Sequence, residues 1–364
     1  MTPGPPVPGA RRPLPWLAPL GRLWLAAARG RGWLYDAGIL RSEHPGVPVV
    51  SVGNLVAGET GKTPLVAWLA EGLADRGLRV GVVSRGHGGK RPVEPLLVGR
   101  DGELLVEPDL SGDEPTLLAD RPGVHLVVVG KDRRAAARVA AREGAQVILL
   151  DDGFQHRRLA RDLDLVLLDW ADPLGGGRGL PAGWLREPPS ALARADVLVL
   201  TRAPRDVASR REPLPARELP PALATVLAGL PASPPVLAAA HVPTGVRLPG
   251  GRWRPASWLA GHRVLPVAGI ARPESFLLVL RELGALPADP LCWPDHHRFR
   301  EADARRIRDA ATAGGLEVIT TAKDALRWPP GAPDPLVLEI GIHLGAGTHL
   351  LDRVLRLVRG GRPT

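Results

Sequence analysis

Lys62 and Thr63 close a glycine-rich stretch, GNLVAGETGKTP at residues 53–64, that follows an apolar run and opens a segment of helical character. A loop of this kind binds phosphate for definite reasons. Glycines let backbone N–H groups turn inward, the following helix N-terminus favours an anion, a lysine reaches the β- and γ-phosphates, and a hydroxyl meets Mg2+. Gly58, Gly61, Lys62 and Thr63 can fill these roles, within an expected nucleotide-binding stretch of Val56, Ala57, Gly58, Glu59, Thr60, Gly61, Lys62 and Thr63. The spacing departs from GxxxxGK[ST], which would place a glycine where Val56 stands. A metal-dependent phosphate site also needs a carboxylate at the end of a neighbouring strand. QVILLDDG at 146–153 offers Asp151 and Asp152, although Asp pairs at strand ends also serve as helix caps.

These residues need a scaffold that brings them to one edge. Short apolar runs at 47–54, 79–86, 125–130, 146–153, 164–169 and 196–201 each end in polar or glycine-rich residues. Continuous Val- and Leu-rich runs separated by helical stretches, clearest at 64–76 and 131–143, predict buried parallel strands with crossover helices. Ligands of such sheets bind beyond the carboxyl ends of the strands, where the glycine loop and the Asp pair both fall. Between about 205 and 235 proline is too dense for a continuous helix or a central strand, which predicts a linker over 211–234. Further strands are expected at 235–242, 263–270 and 316–322, with helices near 274–284 and 301–313. The expected class is α/β: an N-terminal segment over 1–40, a phosphate-loop domain with a mainly parallel sheet over 41–210, and a smaller α/β domain over 235–345. A terminal helix and tail over 346–364 would pack on either domain.

With 364 residues, 45% hydrophobic and 23% charged, the composition is globular, and 40 prolines with 43 glycines imply many turns. The lone Cys292 excludes a disulfide framework and a Cys-based zinc site, and fits a reducing compartment. A net charge of +9 suits phosphates, anionic lipid or nucleic acid, while Arg-rich, Lys-poor usage also follows from a GC-rich genome. No zinc spacing, RNP-like aromatic motif or basic aromatic-interleaved run supports nucleic acid. Arg11-Arg12 followed by PLPWLAPLGRLWLAAA imitates a signal peptide, but Arg22 interrupts its apolar region. Arg29 and Arg31 then stop it short of the ~20 apolar residues of a spanning helix. As a helix it gathers Trp16, Leu17, Leu20, Leu23, Trp24 and Ala27 on one face, with Arg22 and Arg29 roughly opposite. That pattern describes an interfacial helix with Trp anchors, or one packed on the protein's own core. Leu25, on the wrong face, fits neither version.

From DDGFQHRRLARDLDLVLLD (151–169) through GRGLPAGWLREPPSAL (177–192), the sequence resembles the tetraacyldisaccharide 4'-kinases, the lipid A 4'-kinases of Gram-negative bacteria. The resemblance extends in matching order over nearly the whole chain. It includes VPVVSVGNLVAGETGKTP (47–64), SRGHGGK (84–90), SGDEP (111–115), VVGKDRRAAA (128–137), PDHHRF (294–299) and TTAKDALR (320–327). That family has an irregular phosphate loop too. The resemblance implies transfer of the ATP γ-phosphate, with Mg2+, to the 4'-hydroxyl of a tetraacylated glucosamine disaccharide 1-phosphate. It implies a peripheral enzyme on the cytoplasmic face of the inner membrane, whose partners are the acylated substrate and anionic lipid, without nucleic acid or a required protein partner.

By motif, Asp113 in SGDEP resembles the family's catalytic carboxylate, and His296 in PDHHRF its histidine partner, with His297 as the alternative. A carboxylate can take the proton of the attacking hydroxyl, and a histidine can orient it or stabilise its charge. Without the family, Asp113 reads as a turn residue and His296 as a capping histidine. Far apart in sequence, the two are expected to meet only through domain closure, which also keeps water from ATP. The resemblance further implies that Lys62 stabilises the transferring phosphoryl group and that Thr63, Asp151, Asp152 and Glu114 organise Mg2+. Arg133, Gln155 and Arg186 lie in matching motifs, as contacts of ATP phosphates or of the anionic disaccharide. His87 stands where the family usually has Tyr.

Two rival readings share the glycine loop. A kinase of a soluble small molecule needs no membrane anchor, so the N-terminal Trp/Leu/Arg face argues against it. A nucleotide-switched GTPase reads guanine through [NT]-K-x-D, and TAKD at 321–324 puts Lys323 one position late.

Overall fold

Val- and Leu-rich runs without polar alternation become strands buried on both faces, as parallel sheets covered by helices require. The computed structural model describes residues 14–58, 60–86, 88–89 and 94–360, so Arg11, Arg12, Glu59, His87 and Lys90 lie outside the described residues. The chain divides into two units, one built on Arg12–His241 with Ile342–Thr364, the other on Val242–Gly341.

The first unit holds β1 (Val49–Asn54), β2 (Val80–Ser84), β3 (Leu96–Arg100), β4 (Glu103–Leu104), β5 (Val124–Val129), β6 (Val147–Asp151), β7 (Leu163–Asp169), β8 (Val197–Thr201) and β9 (Val236–Ala238). They form one sheet in the order β4-β3-β5-β2-β6-β1-β7-β8-β9. From β5 across to β9 every neighbouring pair is parallel, and β3 alone joins β5 antiparallel, carrying the short β4 at its edge. The helices of this unit are α1 (Ala18–Asp36), α2 (Lys62–Ala74), α3 (Pro108–Ser111), α4 (Asp113–Ala119), α5 (Arg133–Arg142), α6 (Arg205–Ala208) and α7 (Pro221–Ala228). Leu65, Leu69 and Leu73 of α2 recur every four residues and enter one apolar cluster with the sheet, each such burial contributing about 2 kcal/mol. Ala136, Ala137 and Ala140 of α5 enter another with Ile148 and Leu150. The terminal helix Gly347–Val358 packs on α2, with Leu351 against Gly72 and Gly347 against Trp68.

Residues 211–234 depart from the expected linker. Leu214, Leu219, Leu223 and Leu227 are buried in a cluster with Leu198, Leu200 and Val236, so apolar spacing between the prolines ties the stretch to the sheet. Pro221 opens α7, where its missing N–H forfeits no helical bond. The expected strand at 235–242 is likewise divided, because Val236–Ala238 pairs with β8 before the chain leaves the sheet.

The second sheet contains β10 (Ala240–Arg247), β11 (Trp253–Pro255), β12 (Arg263–Ala268), β13 (Leu286–Pro287), β14 (Leu291–Cys292), β15 (Glu317–Thr321) and β16 (Leu336–His343). Its order is β11-β10-β16-β15-β12-β13, with β14 paired to β12. With it go α8 (Pro273–Glu282), α9 (Glu301–Gly314) and α10 (Ala322–Ala325). Phe276 and Leu280 of α8 enter one apolar cluster with this sheet, Ile307 and Ala311 of α9 another.

The two readings of the N-terminal helix fall on different faces of α1. Gly21 meets the body so closely that a Cβ there would lie 2.7 Å from the Gly179 carbonyl oxygen, and Leu25 packs beside it against Gly179. Leu25 is therefore a docking residue. Trp24 Nε1 donates to the Arg186 carbonyl at 3.0 Å, and Arg31 to that of Gln155 at 3.1 Å. Arg157 donates to the Gly32 carbonyl at 2.9 Å and to Asp36 at 2.7 Å, with its guanidinium 4.9 Å over the Tyr35 ring. Trp16, Leu20 and Leu23 instead face outward, 74%, 52% and 67% exposed. Among the described residues no helix is long and apolar enough to cross a membrane.

Candidate phosphate-binding site

The glycine loop leaves the carboxyl end of β1 between β6 and β7, and its first residues are extended and paired. Val56 bridges Leu185 antiparallel, Ala57 N donates to the Trp184 carbonyl at 2.7 Å, and Arg186 N to that of Leu55 at 2.9 Å. The Val56 side chain packs on an apolar cluster, which explains why a β-branched residue stands where other phosphate loops begin their turn. The turn itself falls at Gly58 and Gly61. Gly61 is left-handed at φ 79° just before α2, and a Cβ there would lie 2.4 Å from His241 Nε2. Asn54 braces the loop from inside, donating Nδ2–H to the Gly58 carbonyl and to Thr60 Oγ1, both at 3.1 Å. Thr201, at the end of β8, donates to the Thr60 carbonyl at 2.8 Å. Asn54, Thr201 and His241 escaped the sequence reading. Asn54 stands inside the motif and was readable there, whereas the other two come from distant strands and carry no local signal.

Lys62, Asp152, Gln155 and Arg186 converge. Lys62 Nζ lies 3.5 Å from the Gly58 carbonyl oxygen and 3.5 Å from Asp152 Oδ1. Arg186 Nη1 donates to both Asp152 oxygens at 2.8 and 2.9 Å, and Gln155 Nε2 donates to the Asn54 carbonyl at 2.9 Å. Burial opposes ionisation of Asp152, but the Lys62 ammonium and the Arg186 guanidinium outweigh it and hold the carboxyl below its ordinary value. Asp151 behaves oppositely. Burial first, then the Glu114 and Asp152 charges, push it up to about 7 against the pull of Lys62 and a 3.1 Å bond from Ser84 Oγ. Its Oδ1 is buried without a hydrogen-bond partner. Thr63 is buried in the first turn of α2.

Asp113 is the first residue of α4 and half-buried, after a turn closed by Thr116 Oγ1 donating to the Gly112 carbonyl at 2.8 Å. Because α4 leads into β5, a strand parallel to its neighbour β2, its N-terminus lies toward the carboxyl edge of the sheet, on the side of the glycine loop. Arg133 opens α5, donates to the carbonyls of Gly130 and Lys131 at 3.3 and 3.2 Å, and acts electrostatically on both Asp152 and His156.

His156 is pushed down to about 4, by burial first and then by the Arg133 charge. Between pH 6.5 and 4 the unfolded chain therefore takes up a proton that the folded chain refuses, so stability present above pH 6.5 is lost as pH falls toward 4. His156→Gln is expected to remove about 2 kcal/mol of that acid loss, after discounting for solvent screening, in denaturant titrations at successive pH values. An unchanged slope would contradict the assignment.

The second unit carries both candidate histidines on the loop before α9. His297 Nε2 bonds Asp303 Oδ2 at 3.0 Å, and its ring lies among Trp293 and Phe299 with centroids 5.9 and 5.3 Å away. His297 is thereby built into its own unit. His296 has its backbone left-handed at φ 59° and its side chain 49% exposed.

A family model described as Tetraacyldisaccharide-1-P 4'-kinase matches residues 14–358. The tetraacyldisaccharide 4'-kinase of Anaeromyxobacter dehalogenans (strain 2CP-C) is 44% identical over 341 residues, covering 91% of this chain and 86% of that protein. That of Geobacter metallireducens is 42% identical over 318 residues, covering 86% and 88%. A solved structure, described as the "apo" form of LpxK from Aquifex aeolicus in complex with ATP, matches with a TM-score of 0.75 at 30% identity, covering 94% of this chain and 98% of that one.

Proposed function

The chain belongs to the tetraacyldisaccharide-1-P 4'-kinase family, and we propose from this that the residues around Lys62 hold the ATP triphosphate while Asp113 activates the sugar hydroxyl that receives its terminal phosphoryl group. The reaction is ATP-dependent 4'-phosphorylation in lipid A synthesis. What carries the assignment of the site is Lys62, whose ammonium lies between the carbonyl of the glycine turn and the Asp152 carboxylate.

Gly58, Gly61 and the N-terminus of α2 offer N–H groups to the β- and γ-phosphates, and Lys62 neutralises charge on the group in transfer. Arg186 helps keep Asp152 ionised, and that carboxylate, 3.5 Å from Lys62 Nζ, aims the lysine side chain. Asp113 accepts the proton of the 4'-hydroxyl as its oxygen attacks the γ-phosphorus and ADP departs. His296 orients Asp113 or stabilises its charge. Arg133, Gln155 and Arg186 contribute to holding the phosphates or the anionic disaccharide.

The carboxylates suit a divalent cation. Asp151 keeps a buried oxygen without a partner, and the surplus negative charge that raises its pKa is what a cation relieves. The described residues contain no group of three or more His, Cys, Asp or Glu suited to a metal, but Mg2+ retains waters and takes phosphate oxygens, needing only one or two protein carboxylates. Thr63, Asp151, Asp152 and Glu114 would hold Mg2+. When bound, the ion neutralises charge on the transferring phosphate oxygens.

Exposed Trp16 in the turn before α1, exposed Leu20 and Leu23 on its outward face, and exposed Arg22 and Arg29 elsewhere on the helix fit the cytoplasmic surface of the inner membrane, where the acylated substrate resides. Purified protein given MgATP and detergent-dispersed tetraacyldisaccharide 1-phosphate is expected to yield a product heavier by one phosphate. ATP binding without that product would favour a kinase of a soluble acceptor. In the same preparation, replacing Trp16, Leu20 and Leu23 by Ser should weaken binding to anionic liposomes about ten-fold or more at unchanged Tm. Undiminished binding would remove the membrane role from this face.

A further inference from the structure

Two residues of TTAKDALR (320–327) have no part in the reaction above, yet their bonds lead to the loop that carries His296, from Arg327 directly and from Asp324 through Gly269. Asp324 lies in α10 and is fully buried, a position that costs a carboxylate several kcal/mol unless it is bonded. Its Oδ2 accepts from Gly269 N at 3.0 Å and from Thr321 Oγ1 at 2.9 Å, and its Oδ1 accepts from Arg327 Nη2 at 3.0 Å. Each arm of this pair then reaches the histidine loop. The carbonyl of the same Gly269 accepts from His296 N at 3.1 Å, and Arg327 Nη1 donates to the His297 carbonyl at 3.1 Å. The backbone is thus gripped at His296 itself and at the next residue.

That grip matters because His296 is left-handed at φ 59°, a conformation that a residue other than glycine keeps only where the surroundings impose it. The rest of the loop is anchored as well, His297 and Trp293 both bonding Asp303. With neighbours so fixed, the backbone at residue 296 decides where its half-exposed imidazole points.

We propose that Asp324 and Arg327 are positioning residues for phosphoryl transfer, holding the backbone turn that presents His296. This rests on the role given to His296 above. In the full chain, Arg327→Met is expected to lower kcat ten- to hundred-fold while the KM for ATP stays within two-fold. Arg327→Lys should recover only part of the loss, since one ammonium cannot span both the carboxylate and the carbonyl that the guanidinium fork reaches. In a His296→Ala background, Arg327→Met should cost less than two-fold, because the turn then presents nothing the reaction uses. Asp324→Asn, which keeps an oxygen for the Gly269 N–H, gives the same comparison if Arg327→Met does not fold. Equal losses in both backgrounds, or an unchanged kcat in folded Arg327→Met, would overturn the positioning role alone. Wild-type kcat in His296→Ala would instead overturn the role of His296, and the proposal with it.

Discussion

Lys62→Ala should lower kcat by about 10³-fold, the scale set by removing a preorganised charge from a site of transition-state stabilisation, and should raise the Kd for ATP as well. The lysine side chain is 12% exposed and its ammonium lies 3.5 Å from the Gly58 carbonyl oxygen, so water replaces it poorly once it is gone. Asp152 then loses one of its cations but keeps the paired Arg186 contacts at 2.8 and 2.9 Å, and Asn54 and Thr201 still brace the loop. The variant should therefore fold, with a Tm within a few degrees of wild type. Single-turnover phosphate transfer and ATP titration check the two halves of this expectation. A variant retaining a tenth of the wild-type rate would place the phosphates elsewhere.

Asp113→Asn should separate binding from chemistry. The expected fall in kcat is about 10²–10⁴-fold, the range for loss of a positioned proton acceptor, with the Kd for ATP within a few-fold. Asn suits the start of a helix nearly as Asp does, and Thr116 and Ser111 hold the preceding turn whichever stands there. A rate-versus-pH profile should lose its acid limb in the variant. Near-normal rates across pH would end the base assignment, while weakened ATP binding would recast Asp113 as part of the nucleotide site.

The parallel strands were legible because a sheet covered on both faces needs unbroken apolar runs, and VVSVGN and VILLD end in polar residues of the candidate site. The β3–β4 hairpin was not, since β4 is exposed, β3 is buried only at Val98 and Gly99, and its antiparallel place beside β5 depends on distant contacts. Proline density at 211–234 misled because it reports local breaks in regular structure, whereas Leu214, Leu219 and Leu223 decide attachment. Val56 looked like a flaw in a glycine motif until its pairing with Leu185 appeared. Leu25 looked misplaced because a wheel drawn for one apolar face cannot represent a helix that has two. Lys62, Asp152, Gln155 and Arg186 were named from motifs, but their convergence rests on bonds spanning up to a hundred residues and more. Nothing local foretold that Asp303 takes the ring of His297 while the side chain of His296 stays 49% exposed.

The bonds from Trp24 and Arg31 end on the carbonyls of Arg186 and Gln155, whose side chains belong to the candidate phosphate site. Deleting the first thirty-odd residues would leave those two oxygens without their indole and guanidinium donors, immediately beside the Asp152 ion pair. A shortened enzyme would thus be crippled for reasons unrelated to lipid. Studies of surface attachment in this protein call for an intact helix whose outer side alone has been made hydrophilic.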